Sequence, residues 1–263
     1  MINHMEKKDI LKKCFSFMDL TTLRIEDTPS YVKALVDKVN RLVKEYPDYP
    51  LPASICVYPN FASVVRDNRP SPELHVTCVA GCFPASQSFL EVKVREVELA
   101  IENGADEIDI VLALNSFLDG DGSEARREIR EIRKVCKGVC LKVILETGVL
   151  KDPELIRKAS FLAMEEGADF IKTSTGKVAV NATPEAAEVM CKAIKEFYAK
   201  TGRKVGFKAA GGVSTAEEAL QYYEIGEKIL GPEWMNKDLF RFGVSRLGNS
   251  LMSAIEGKEV KFF

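Results

Sequence analysis

The chain has 263 residues, 46% apolar and 29% charged, with a net charge of −2. That balance supplies a globular core and offers no bulk positive field for nucleic acid or an anionic membrane. No apolar run approaches the ~18 residues of a membrane span. The basic start MINHMEKKDILKKCF lacks the apolar segment and small-residue cleavage site of a signal peptide. Seven cysteines lie scattered at 14, 56, 78, 82, 136, 140 and 191. Their odd count in a chain of this length points to a reduced, cytoplasmic protein. Only two histidines are present, His4 and His75, so a three-histidine zinc site is excluded. The pairs Cys78/Cys82 and Cys136/Cys140 have three intervening residues rather than the two of a zinc knuckle.

Along the chain, the first ~50 residues read as helices outside any repeat, covering one end of the fold. Short β-rich runs then alternate with helical segments. The expected strands are Ser54–Tyr58, Leu74–Val79, Glu107–Leu112, Cys140–Glu146, Asp169–Thr173 and Val205–Lys208, with weaker ones near Lys228–Leu230 and Phe240–Val244. The expected helices include Ser88–Asn103, Ser123–Val135, Pro153–Glu166, Pro184–Tyr198 and Thr215–Tyr223. Thr183-Pro184 supplies an N-cap and an N1 proline. Ser214-Thr215-Ala216-Glu217 fits a capping box, and Gly104 and Gly167 stand where helices should stop. Eight such alternations imply a parallel sheet with helical crossovers. At a length close to ~250 residues, the expected fold is a single (β/α)₈ TIM barrel with an N-terminal helical extension over 1–50.

The strands carry charge on one face. Leu141, Val143 and Leu145 alternate with Lys142, Ile144 and Glu146. Glu107 and Asp109 oppose Ile108, Ile110 and Leu112, while Lys172 opposes Ile171 and Lys208 opposes Phe207. The helices must cover the apolar set, so the charged set points into the barrel. Shifting the register by one residue would expose every apolar member on four strands together. The inward candidates are therefore Lys142, Lys172 and Lys208 with Glu107, Asp109 and Glu146. Two readings are open at this point. The lysines form ion pairs with the three acids, or one lysine is a nucleophile. A free lysine has a pKa of about 10.4 and is almost wholly charged at neutral pH. Burial and a second cation beside it both favour the neutral amine that attacks a carbonyl. Lys172 and Lys208, on consecutive strands, could supply that pair.

Three late loops look fit for an anion: Ser174-Thr175-Gly176-Lys177, Gly211-Gly212-Val213-Ser214 and Gly243-Val244-Ser245-Arg246. Glycines let backbone N–H groups approach, and helix N-termini add partial positive charge. TIM barrels often bind phosphate in their last loops.

The segment Asp169-Phe-Ile-Lys-Thr-Ser-Thr-Gly-Lys-Val-Ala-Val-Asn-Ala-Thr183 resembles the Schiff-base segment of deoxyribose-phosphate aldolases. Met18-Asp-Leu-Thr-Thr22, Ile55-Cys-Val-Tyr-Pro59, Gly104-Ala-Asp-Glu-Ile-Asp109, Leu141-Lys-Val-Ile-Leu-Glu-Thr-Gly148, Val205-Gly-Phe-Lys208 and Arg241-Phe-Gly243 match in the same order, from about residue 10 to 255. The resemblance implies a class I aldolase without metal or cofactor. Its substrates would be a small sugar phosphate and aldehydes: 2-deoxy-D-ribose 5-phosphate, interconverted with acetaldehyde and D-glyceraldehyde 3-phosphate. It implies Lys172 as the Schiff-base lysine, Lys208 as its cationic neighbour and Asp109 as a member of the proton relay. Asp19, Thr21, Cys56 and Lys142 would line or support the pocket. Gly176, Lys177, Gly211, Gly212, Gly243, Ser245 and Arg246 would hold the phosphate. A homo-oligomer, dimer or tetramer, is the expected assembly. The rival readings are another Schiff-base sugar-phosphate lyase of transaldolase type and a catalytically silent sugar-phosphate-binding barrel.

The sequence departs from the family pattern in its phosphate loops. Ser214 stands where many members have arginine, and Arg246 where they often have serine. No tyrosine follows Tyr223, and the chain ends Val260-Lys-Phe-Phe263.

Overall fold

Eight short strands pair in chain order, each parallel to the next, and the last returns to the first. The computed structural model describes residues 4–263. The elements run α1 (His4–Ser16), β1 (Met18–Thr21), α2 (Pro29–Glu45), β2 (Ser54–Val57), α3 (Ala62–Asn68), β3 (His75–Ala80), α4 (Leu90–Glu102), β4 (Glu107–Val111), α5 (Leu114–Asp119) and α6 (Ser123–Val135). They continue β5 (Cys140–Ile144), α7 (Thr147–Leu150), α8 (Pro153–Glu165), β6 (Phe170–Lys172), α9 (Pro184–Thr201), β7 (Gly206–Ala210), α10 (Ala216–Leu230), β8 (Phe240–Val244) and α11 (Leu247–Glu256). The closed parallel barrel with its helical layer is the expected TIM barrel. Among the described residues no helix is long and apolar enough to cross a membrane.

The helix signals act as their chemistry dictates. Thr28 and Thr183 cap α2 and α9, each followed by a proline at the first helical positions. The capping box of α10 sits one residue later than the sequence pattern suggests. Thr215 and Glu218 exchange the bonds, and Glu218 also accepts from Ser214 N and Oγ.

Two expectations need correction. The first 50 residues are not all helical extension: β1 lies within them and closes the barrel between β2 and β8. The four residues of β1 are too few to show a period on their own, but their pairing buries both faces. α2 is then the first crossover helix, and only α1 stands outside the repeat, packed on α10 and α11. Residues 1–3 of the expected extension lie outside the described residues. The weak strand at Lys228–Leu230 is instead the last turn of α10. Ala216, Ala219, Tyr222, Tyr223, Gly226 and Leu230 are its buried positions. That helical period overrides a short apolar run that could read either way.

The strand registers carry the alternation around the barrel. Asp109 aligns with Lys142, Lys142 with Phe170, and Phe170 with Gly206. One layer further along, Ile144, Lys172, Lys208 and Arg241 align across four strands. The apolar partners Ile108, Leu141, Val143, Ile171, Phe207, Phe240 and Phe242 belong to the core shared with the helices.

The lower layer leaves no spare volume at Gly206. A Cβ there would stand 2.3 Å from the Phe170 ring, which itself lies under the Arg241 guanidinium at 5.6 Å. Gly206→Ala should therefore overpack the interior and lower stability by roughly 1–3 kcal/mol. Thermal unfolding checks this, and a melting temperature at or above wild type would refute the packing account.

Candidate active site

The inward charged side chains of six strands meet in one buried cluster. Lys142 (β5), Lys172 (β6), Lys208 (β7) and Arg241 (β8) face Asp19 (β1), Glu107 and Asp109 (β4), all at 3% exposure or less. Asp109 is the hub. Its Oδ2 accepts from Lys172 Nζ and Lys208 Nζ, both at 2.8 Å, and its Oδ1 from Lys142 Nζ at 2.9 Å. Lys208 also donates to Asp19 Oδ2 at 2.5 Å. Arg241 bridges Asp19 Oδ1 at 2.6 Å and Glu107 Oε1 at 2.8 Å. Lys142 closes the ring at 2.6 Å from Glu107 Oε2. From β2 and β3, Ser54 and Thr77 join by hydroxyls, Thr77 donating to Glu107 Oε2 at 2.8 Å.

Counting charges decides which lysine can be neutral. Four cationic side chains face three carboxylates, so one cation is in surplus. Burial would lower Lys142 and Lys208, but the acids around them outweigh it and hold both above the ordinary lysine value. Among the described residues, the ion-pair partner of Lys172 is Asp109 alone. Burial pulls its pKa down, Asp109 opposes, and the Lys208 charge adds to the lowering. Burial alone would raise Asp109, yet the three lysines keep it well below the usual carboxylate range. Lys172 is thus the lysine that gives up its proton most readily.

Above this cluster lies a cavity of about 570 Å³. Lys172 reaches its floor. Thr21, Gly176, Lys177, Gly211, Gly212, Gly243, Ser245 and Arg246 stand in its wall. Every phosphate-loop residue expected from sequence therefore lines one space with Lys172. Asp19, Asp109, Lys142, Lys208 and Cys56 do not line it and lie buried below. Cys56 packs against Leu23 and Val79. Burial pushes its thiol up, with Lys208 pulling the other way. Consecutive Gly211 and Gly212 have φ of +78° and +84°, which turns the β7 loop in a way other residues resist. Among the described residues, the lining includes five cations — Arg24, Lys38, Lys172, Lys177 and Arg246 — and no Asp or Glu.

One sequence expectation shifts in detail. Glu146 is not a lysine partner. β5 ends at Ile144, and the Glu146 carboxylate turns to Thr175, accepting from its backbone N at 3.1 Å. Arg246 is the residue just before α11. Sequence reasoning missed Arg241 as a member of the cluster. Its signal was present, because Arg241 and Gly243 alternate with Phe240, Phe242 and Val244. Lys38 and Asn181 also line the cavity; Asn181 lies within the quoted Asp169–Thr183 segment, and no sequence pattern marks Lys38.

The family model described as "DeoC/LacD family aldolase" matches residues 14–246. The chain belongs to that family. Among members of this aldolase family, a deoxyribose-phosphate aldolase of Agrobacterium fabrum is 42% identical over 93% of this chain and 91% of its own. A Caenorhabditis elegans protein provisionally named deoxyribose-phosphate aldolase is 45% identical over 93% of this chain and 81% of its own. The solved deoxyribose phosphate aldolase of Aeropyrum pernix, described as a tetramer, superposes with a TM-score of 0.73 at 25% identity, covering 95% of both chains.

The charge count has a direct test in the folded aldolase. Lys142→Met removes the lysine that pairs with both Glu107 and Asp109, weakening two buried pairs, and should cost about 3–5 kcal/mol. Lys172→Met removes the surplus cation and should cost far less. The folded pKa of Lys172 lies below its unfolded value of about 10.4. Between the two the unfolded chain binds more protons, so wild-type stability relative to Lys172→Met should rise with pH. Equal losses from both variants in denaturant unfolding would overturn the account.

Proposed function

We propose that this chain is a class I deoxyribose-phosphate aldolase. It cleaves 2-deoxy-D-ribose 5-phosphate reversibly to D-glyceraldehyde 3-phosphate and acetaldehyde. The observation that carries the reading is the pairing of Lys172, the buried lysine with a lowered pKa, with a cationic cavity directly above it.

The neutral Lys172 amine attacks the sugar's aldehyde carbon, and protonation of the resulting carbinolamine with loss of water leaves an iminium. Removing the proton from the C3 hydroxyl breaks the C2–C3 bond. The bonding electrons flow into the iminium to give an enamine, and D-glyceraldehyde 3-phosphate departs. Protonation of the enamine carbon and hydrolysis then release acetaldehyde and free Lys172. Asp109, within 2.8 Å of both Lys172 and Lys208, is placed to pass protons between them. Lys208, kept charged by Asp109 and Asp19, adds to the lowering of the Lys172 pKa by burial and so favours its neutral form. Positioned acid–base groups of this kind contribute typically ~10²–10⁴-fold. All seven cysteines are free thiols, which suits the reducing cytoplasm, and a homo-oligomer is the expected form.

Incubation with acetaldehyde and borohydride should leave an ethyl group on Lys172, seen by peptide mapping, and Lys172→Met should lose all turnover. Modification of Lys177 or Lys208 with Lys172 untouched would refute the assignment. Activity abolished by EDTA would refute the metal-free route.

Arg246 is the second test of the reading. It is exposed, lines the cavity next to Ser245, and has no acidic partner among the described residues. A guanidinium beside a helix N-terminus is unfavourable unless an anion sits between them, and it can grip a phosphate with two parallel bonds. Ser214, where the family resemblance led to an expectation of arginine, is tied to Glu218. Arg246→Ser should raise KM for deoxyribose 5-phosphate by roughly tenfold and barely change turnover of free deoxyribose. Equal losses on both sugars would remove Arg246 from the phosphate site.

A further inference from the structure

Glu146 is a buried acid that the ion-pair cluster does not use. It is 3% exposed and has φ 55° and ψ 58°. A non-glycine residue holds that left-handed conformation only where its surroundings impose it, and such positions gather at functional sites. Here the side chain explains the strain. The carboxylate accepts from Thr175 N at 3.1 Å and from Thr175 Oγ1 at 2.5 Å. Thr175 Oγ1 in turn accepts from Lys177 N at 3.0 Å. One acid therefore orders the turn through Gly176 that follows Lys172.

The far end of the same loop is seated on the same turn. A Cβ on Gly148 would stand 1.9 Å from Val180 O and 3.0 Å from Val180 Cβ, so only glycine admits the loop there. The neighbouring Asn181 packs against Gly211, where a Cβ would lie 2.7 Å from Asn181 Cβ. The segment from Thr175 to Asn181 is thus fastened to the turn after β5 at both ends and to the β7 loop beside it. The Leu-Glu-Thr-Gly motif after Lys142 gains a role of its own.

We propose that Glu146 is a positioning residue for phosphate binding: its carboxylate orients Thr175 and, through it, the Gly176–Lys177 turn against the substrate's phosphate. This rests on the aldolase reading above. Glu146 itself does not line the cavity, and its carboxylate bonds to Thr175 rather than to Lys172.

Steady-state kinetics on deoxyribose 5-phosphate and on free deoxyribose test it. Glu146→Gly removes the carboxylate while relieving the backbone, so its melting temperature should stay near or above wild type. It should raise KM for the phosphorylated sugar about tenfold and leave kcat/KM for the free sugar nearly unchanged. Glu146→Gln should restore wild-type KM, because the glutamine carbonyl can still accept from Thr175 N and its amide can donate to Thr175 Oγ1. Thr175→Val should raise the same KM, and the double variant Glu146→Gly/Thr175→Val should be no worse than the poorer single one. A wild-type KM in Glu146→Gly, equal losses on both sugars, or additive effects in the double variant would each overturn the positioning role. Absence of acetaldehyde release by the wild-type chain would instead bring down the aldolase reading, and this inference with it.

Discussion

The buried contact of Asp109 with three lysines is the constraint around which the interior is arranged. Several charges removed from water are costly unless each finds an opposite partner and hydrogen bonds. The barrel supplies them by placing Asp19, Glu107 and Asp109 among Lys142, Lys208 and Arg241. Lys172 is the cation left over. The same arrangement that stabilises the cluster therefore leaves one amine whose charge is poorly supported. On the proposed mechanism, structural pairing and chemical reactivity are two results of one charge count.

The fold makes that count possible. Parallel strands in a closed barrel bring residues from β1, β4, β5, β6, β7 and β8 to a single axis, while helices cover the apolar alternates. The C-terminal ends of β6, β7 and β8 then open into the loops that bound the cationic cavity. Lys172 lies where the two regions meet, with its amine on Asp109 and a face to the cavity. An anionic tail held by the loops would set an aldehyde carbon near that amine, a large entropic advantage for imine formation.

Much of this was legible residue by residue. Lys142 and Lys172 alternate with apolar neighbours, and that period alone directed them inward. Thr183-Pro184 began its helix as its cap chemistry dictated. The misses share one physical cause, the weakness of local signals in short segments. β1 spans four residues and exists through its pairings on both sides. Ile229 and Leu230 could face a sheet or extend a helix, and the packing of Gly226 against the Phe240 ring settles them as helix. Glu146 continued the alternation of Lys142 and Ile144 on paper, but its backbone leaves the strand in a left-handed turn that no residue pattern announced.

By itself, the sequence determined the barrel class, the inward set of lysines and acids, and the glycine-rich late loops. Period-two alternation and glycine chemistry are local properties and survive without knowledge of contacts. The ordered motifs added the family. Only the tertiary structure decided which acid serves which lysine, because partners such as Lys208 and Asp19 are 189 positions apart in the chain. It also brought Arg241 into the cluster, sent Glu146 to Thr175, and left Lys172 with the weakest support for its charge. A pKa depends on the sum of burial and neighbouring charges in three dimensions, and that sum exists only once the barrel has closed.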